Sequence, residues 1–117
     1  DYQRFPRDQT YSLYAEDVYF KDPLTEFRGR DRYQQMISFM QQWFRDAQLD
    51  LHNAEQTDQQ IRTDWTLSWV TPLPWQPKIK ISGWTEFQVN EQGLISAHID
   101  YWHCSPWDVL VQHFSFS

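Results

Sequence analysis

Two groups of residues in this sequence carry side chains suited to proton chemistry. The first is Asp22, which ends the β-branched and aromatic run Val18-Tyr19-Phe20 and directly precedes Pro23. A carboxyl group held among Phe20 and nearby Trp and Met side chains loses hydration. Its pKa then rises, and it becomes a usable proton carrier or polar anchor. The same Asp-Pro pair also suits a turn in which the carboxylate accepts from the backbone N–H groups that follow. Both readings of Asp22 stay open. The second group is His98-Ile99-Asp100-Tyr101-Trp102, where strand alternation puts His98, Asp100 and Trp102 on one face and Ile99 and Tyr101 on the other. Facing inward, a His–Asp pair lines a cavity; facing outward, it is a solvated surface. Apolar patterning alone prefers the outward choice, with Ile95, Ala97, Ile99 and Tyr101 as the inner set.

Other reactive side chains assemble less well. His52, His98, His103, Cys104 and Asp108 lack the Cys-x-x-Cys or His-Glu-x-x-His spacing of a metal site, so no metal is expected. Cys104 stands in no nucleophile motif and reads as a small half-buried thiol. The three glycines, at 29, 83 and 93, form no phosphate-cradling loop, and no cofactor is expected.

The elements that must position Asp22 and His98–Asp100 are legible in outline. Asp8 suits the N-cap of a short helix that ends near Tyr14, and residues 1–6 suit the tail of an earlier helix. Val18–Phe20 is a short strand closed by Asp22-Pro23. After Gly29, the apolar positions Tyr33, Ile37, Met40 and Phe44 recur at helical spacing, widened by Met36 and Trp43. They predict the main helix over Arg30–Arg45, with Asp31 and Arg45 matching its dipole. Strands follow. Leu49–His52 alternates, and Ile61, Thr63, Trp65, Leu67 and Trp69 alternate with polar residues. In the next strand Ile79, Ile81, Thr85, Phe87 and Val89 share a parity. Pro72–Pro77 is a stiff connection, Asn90–Gly93 a hairpin loop, and Leu94–His103 the last strand, so residues 59–103 make three antiparallel strands. Ser105-Pro106-Trp107-Asp108 opens a final helix whose apolar face is Trp107, Leu110, Val111 and Phe114. Helices first and a meander afterwards imply an α+β domain with helices on one face of a curved antiparallel sheet.

Composition narrows the function. The 117 residues suit one domain. Aromatics make up 18 % of the chain, seven of them Trp, a load that argues against disorder. The formal charge of −6 and the lack of a basic stripe argue against nucleic acid as a partner, and no apolar run is long enough for a membrane span. One cysteine allows no internal disulfide, which favours a cytoplasmic setting, or the plastid stroma if a targeting segment has been removed. The chain starts at Asp1 without Met, so an upstream helix is expected to be missing from this single domain, 1–117.

Tyr14-Ala-Glu-Asp-Val-Tyr-Phe-Lys-Asp-Pro23 with Phe27-Arg-Gly29 and a following helix, and the later stretch Trp84–Trp102, together resemble the nuclear-transport-factor-2-like (SnoaL-like) superfamily. The nearest resemblance is to an uncharacterised branch from photosynthetic organisms. It implies a cone: a curved antiparallel sheet with helices packed on its concave face. Asp22 falls where the ketosteroid isomerases of that superfamily keep their catalytic base. Their oxyanion-hole acid falls at Thr85, which is no acid. The resemblance turns Thr63, Trp65, Leu67, Trp69, Thr85 and Phe87 toward the cone. It turns His98, Asp100 and Trp102 inward too, against the apolar pattern, and the resemblance is followed here.

Three functions compete on these grounds. The leading one is binding of a small apolar molecule in an aromatic-lined cone made by Phe20, Tyr33, Ile37, Met40, Thr63, Trp65, Leu67, Trp69, Thr85, Phe87 and Trp102. The second is a dehydratase or isomerase that uses Asp22 or His98–Asp100 for proton transfer. In that case His98 is held by Asp100, and Asp22 is the carboxyl with the raised pKa. The third is a dimerisation scaffold with a filled cone. The face carrying Ile95, Ile99 and Tyr101, with Leu51 or Trp84 beside it, is the expected homodimer surface.

Overall fold

The computed structural model describes residues 5–6 and 9–114. A 3-10 turn at Tyr11–Leu13 leads into β1 (Tyr14–Lys21), β2 (Glu26–Arg28), α1 (Arg30–Trp43), β3 (Arg45–Thr57), β4 (Gln60–Val70), β5 (Lys78–Val89), β6 (Ile95–Trp102) and α2 (Pro106–Gln112). One six-stranded curved sheet runs in the order β2-β1-β6-β5-β4-β3. Its pairs are antiparallel except β1 with β6, which is parallel. The fold is therefore α+β, with β4, β5 and β6 as the expected antiparallel meander.

The first helix is shorter and the first strand longer than the sequence suggests. Tyr14 opens β1 rather than ending a helix. Tyr14, Val18 and Phe20 share a parity and are buried, which extends the strand signal upstream of Val18. The proposed cap at Asp8, and most of the proposed earlier helix at 1–6, lie outside the described residues.

Asp22 forms the turn between β1 and β2. Its Oδ1 accepts from Leu24 N at 2.8 Å and Thr25 N at 2.6 Å, and its own N–H donates to Thr25 O at 2.8 Å. The turn reading of Asp22 is thus realised, with one oxygen committed to it. Gly29, at φ 118°, enters α1 and donates its N–H to Val18 O at 2.9 Å. Only glycine adopts that φ without strain.

Helix α1 buries Tyr33 and Ile37 and packs across the concave face against β1. It ends at Trp43, two residues before the expected Arg45, so Arg45 adds nothing to its last turn. The cause is Phe44, whose ring stacks flat on Trp69 with centroids 4.1 Å apart. That contact, and Asp46 at φ 50°, swing the chain into β3. Strand β3 runs well past the expected Leu49–His52. Its outer half, His52–Thr57, is polar and exposed, as an edge strand permits, so no apolar alternation marks it.

Helix α2 has the predicted capping box: Asp108 N donates to Ser105 Oγ, and Ser105 N to Asp108 Oδ2 at 2.9 Å, with Pro106 in the first turn. Its expected apolar face does not pack, however. Trp107 is 67 % exposed, and Leu110, Val111 and Phe114 are exposed with it. The helix docks through Val109, which joins the Trp65–Ile81 cluster, and through Gln112. Gln112 Oε1 accepts a hydrogen bond from Lys80 N at 2.7 Å, and Gln112 Nε2 donates one to Lys80 O at 3.0 Å. Strand β6 stops opposite Gly83, so Gln112 stands in for the missing strand there.

Candidate functional site

The strands β4, β5 and β6 each present one face to the concave side, and α1 closes over it. Between them lies a cavity of about 440 Å³. Its walls come from two apolar clusters. Tyr14, Phe20, Tyr33, Ile37 and Phe87 line it from one, with Val18 behind them; Trp65, Leu67, Trp69 and Ile81 line it from the other, with Ile79 behind them.

The parity of β6 is decided by its register. Gly83, Thr85 and Phe87 of β5 stand opposite Trp102, Asp100 and His98. Thr85 and Phe87 face the cavity, so their partners do as well. A bulge then changes the count: Gln88 stands opposite Ala97, but Val89 opposite Ile95, which leaves Ser96 as the extra residue. Ile95 thereby joins His98 on the inner side and lines the cavity. Assigning it to the outer surface is wrong, because strict alternation does not survive a bulge.

A continuous hydrogen-bonded chain of side chains runs along the cavity wall. Tyr33 Oη lies 3.1 Å from Tyr14 Oη, which lies 3.2 Å from His98 Nδ1. His98 Nε2 lies 2.9 Å from Asp100 Oδ1. From the other side Trp65 Nε1 donates to Thr85 Oγ1 at 2.8 Å, and Thr85 Oγ1 donates to Asp100 Oδ1 at 2.5 Å. The carboxylate accepts only, so His98 Nε2 carries a proton toward it. With His98 neutral, Nδ1 accepts from Tyr14, whose oxygen accepts from Tyr33. Every bond then points toward Asp100. With His98 protonated, Nδ1 donates and the tyrosine arm reverses. The chain therefore accommodates either state of His98 without moving a heavy atom.

Four rings enclose His98. Phe87 lies edge-on at 4.8 Å, Phe20 at 5.0 Å, Tyr33 at 5.5 Å and Tyr14 at 6.1 Å between centroids. The imidazole is thus fixed by packing on its faces and by hydrogen bonds at both nitrogens. Burial lifts the Tyr33 phenol well above its ordinary pKa, helped by the neighbouring Tyr14 hydroxyl, so Tyr33 stays protonated.

Asp22 also lines the cavity, half-buried. Burial raises its pKa above the ordinary value, and the charge of Asp100 adds to the rise. The Leu24 and Thr25 N–H groups and His98 act in the opposite sense. Its carboxyl therefore titrates nearer neutrality than that of an exposed aspartate. Among the described residues no three His, Cys, Asp or Glu side chains converge as a metal-ligand set.

The profile of a family described as "Uncharacterized conserved protein (DUF2358)" matches residues 1–98. This chain belongs to that family. Solved structures relate the DUF2358 fold to others. A hypothetical protein with a ketosteroid isomerase-like fold from Catenulispora acidiphila, in complex with trimethylamine, is 15 % identical, with 87 % of this chain and 77 % of that one covered and a TM-score of 0.73. A putative SnoaL-like polyketide cyclase from Shewanella putrefaciens is 10 % identical, with coverage of 92 % and 82 % and a TM-score of 0.73. An LEH-like epoxide hydrolase from M. tuberculosis is 16 % identical, with coverage of 87 % and 72 % and a TM-score of 0.69. No curated protein matches. The fold is that of the nuclear-transport-factor-2-like superfamily.

In this DUF2358 chain the cavity gathers most of the residues singled out from sequence. Asp22, His98 and Asp100 line it together with Phe20, Tyr33, Ile37, Met40, Trp65, Leu67, Trp69, Thr85, Phe87 and Trp102. Thr63 does not. It is buried opposite Thr85, on the same face of β4 as Trp65. Sequence reasoning missed Tyr14, the hinge of the polar chain, because it was assigned to a helix end; its shared parity with Val18 and Phe20 was the available signal. Met36, Phe44, Leu49 and Ile81 were visible as apolar positions but not as cavity walls. Among the described residues no helix is long and apolar enough to cross a membrane.

Proposed function

We propose that this chain binds a small, largely apolar molecule in the cavity between α1 and the sheet. The observation that carries this is an aromatic-walled space of about 440 Å³ whose hydrogen-bonding side chains are mostly joined in one chain, Tyr33–Tyr14–His98–Asp100–Thr85–Trp65. Its volume lies in the usual range for ligand sites, roughly 300–1,000 Å³. An open cavity favours this reading over a scaffold with a filled cone. The test is titration with a neutral apolar dye such as 1-aminoanthracene. Saturable binding of one dye per chain is expected, reversed by small neutral competitors. Absence of saturable binding removes the reading.

Proton transfer is the second reading, favoured by the raised carboxyl of Asp22 beside the enclosed His98–Asp100 pair. In an isomerase or dehydratase of this design, Asp22 takes the proton from ligand carbon, and His98–Asp100, with both imidazole nitrogens engaged, is the pair that orients the polar wall. Turnover that survives Asp22→Asn counts against it.

A homodimer formed through the outer sheet face accompanies either reading. Tyr101 is exposed there and stacks on Trp84 at 4.8 Å; Leu51, expected beside them, stands opposite Trp65 and so lies on the inner face instead. One cysteine and the acidic charge suit a cytoplasmic or stromal setting.

A further inference from the structure

We infer that the cavity selects a cationic ligand: an amine protonated at neutral pH, or a quaternary ammonium, attached to an apolar body. This rests on the reading of the cavity as a binding site and names the class of molecule that the site takes. Among the described residues the lining contains two carboxylates, Asp22 and Asp100, and no Lys or Arg. Asp100 is already answered, by His98 Nε2 and Thr85 Oγ1. Asp22 is not. Its Oδ1 accepts two backbone N–H groups of the turn, and among the described residues no Lys or Arg forms an ion pair with it. A half-buried carboxylate without a counter-ion is a site at which an incoming cation recovers electrostatic energy.

The remaining wall favours the same charge. Phe20, Tyr33, Phe87, Trp65 and Trp102 present aromatic rings to the cavity, and the faces of such rings attract cations. An anionic ligand meets the opposite conditions: it gives up its hydration beside two carboxylates, with no lysine or arginine among the described lining residues to receive it. A neutral ligand gains only burial. The raised pKa of Asp22 fits this account, since it reports an anion that its surroundings under-stabilise.

Three probes of one shape separate these cases: 2-naphthylmethylamine, 2-naphthylmethanol and 2-naphthoate, each titrated calorimetrically into the intact chain at pH 7.5. The ammonium is expected to bind at least about tenfold more tightly than the alcohol, and the carboxylate more weakly than either. In Asp22→Asn the ratio of amine to alcohol affinity is expected to fall about tenfold. If the alcohol binds as tightly as the amine, or the naphthoate binds best, charge selection is refuted while cavity binding stands. If none of the three binds, cavity binding fails and charge selection with it. The comparison on the unmodified chain decides the matter even if the variant does not fold.

Discussion

Removing the Tyr14 hydroxyl tests the polar chain at its hinge. Tyr14→Phe keeps the ring, including its stack on Tyr33 at 4.6 Å and 26°, so the change isolates the oxygen. It takes from Tyr33 Oη its hydrogen-bond partner and from His98 Nδ1 its contact at 3.2 Å. Both residues are buried, Tyr33 to 4 % and His98 to 8 % exposure. A buried polar group left without a partner costs about 1–3 kcal/mol, so stranding two predicts a loss of about 2–6 kcal/mol. Tyr33→Phe removes only the end of the chain and leaves Tyr14 bonded to His98; its cost is about 1 kcal/mol or less. The double variant separates this account from simple loss of contacts. Once Tyr14 is Phe, the Tyr33 hydroxyl is a liability, and deleting it restores stability. Tyr14→Phe/Tyr33→Phe should therefore be more stable than Tyr14→Phe alone, by about 1 kcal/mol. Urea unfolding followed by tryptophan fluorescence measures this. With a slope of roughly 1–3 kcal/mol/M, the Tyr14→Phe midpoint should drop by roughly 1–3 M. Additive costs in the double variant, or a larger loss for Tyr33→Phe than for Tyr14→Phe, would refute the reasoning.

Three further outcomes follow from particular contacts. Asp22 has a folded pKa above its ordinary value of 3.8, so the native state binds the proton more tightly than the unfolded chain and loses stability as pH climbs from about 3.8 through the folded value. Asn keeps the turn acceptor without that loss, so Asp22→Asn should gain on the parent chain at pH 7 and lose the advantage toward pH 4, read from urea midpoints at both pH values. A Cβ added at Gly83 would lie 2.1 Å from Tyr101 O, backbone against backbone between β5 and β6, so Gly83→Ala should cost about 3 kcal/mol or more in the same assay. Ile99→Arg, on the outer face, should convert the proposed dimer to a monomer in light scattering while the circular dichroism spectrum is retained; an unchanged molecular mass would place the interface elsewhere.

What the sequence determined by itself is what depends on neighbours along the chain. The helical spacing of Tyr33, Ile37 and Met40, the alternation of Trp65, Leu67 and Trp69, the Asn90–Gly93 hairpin and the Ser105–Asp108 capping box are all local, and each appears where the residues put it. The polar edge strand β3 was under-read for the same reason: its order comes from pairing with β4, not from its own pattern. The cavity is different. Its polar wall inverts the usual rule that apolar residues face inward, so alternation in β6 points the wrong way; the family resemblance points inward, and the register with Thr85 and Phe87 puts His98 and Asp100 on the inside. The bulge at Ser96 then moved Ile95 to the same side, which no period-of-two pattern can express. Tyr14 and His98 stand 84 positions apart and meet because β1 pairs parallel to β6. That contact depends on a strand pairing between distant parts of the chain, and so does the chain of hydrogen bonds that passes through it.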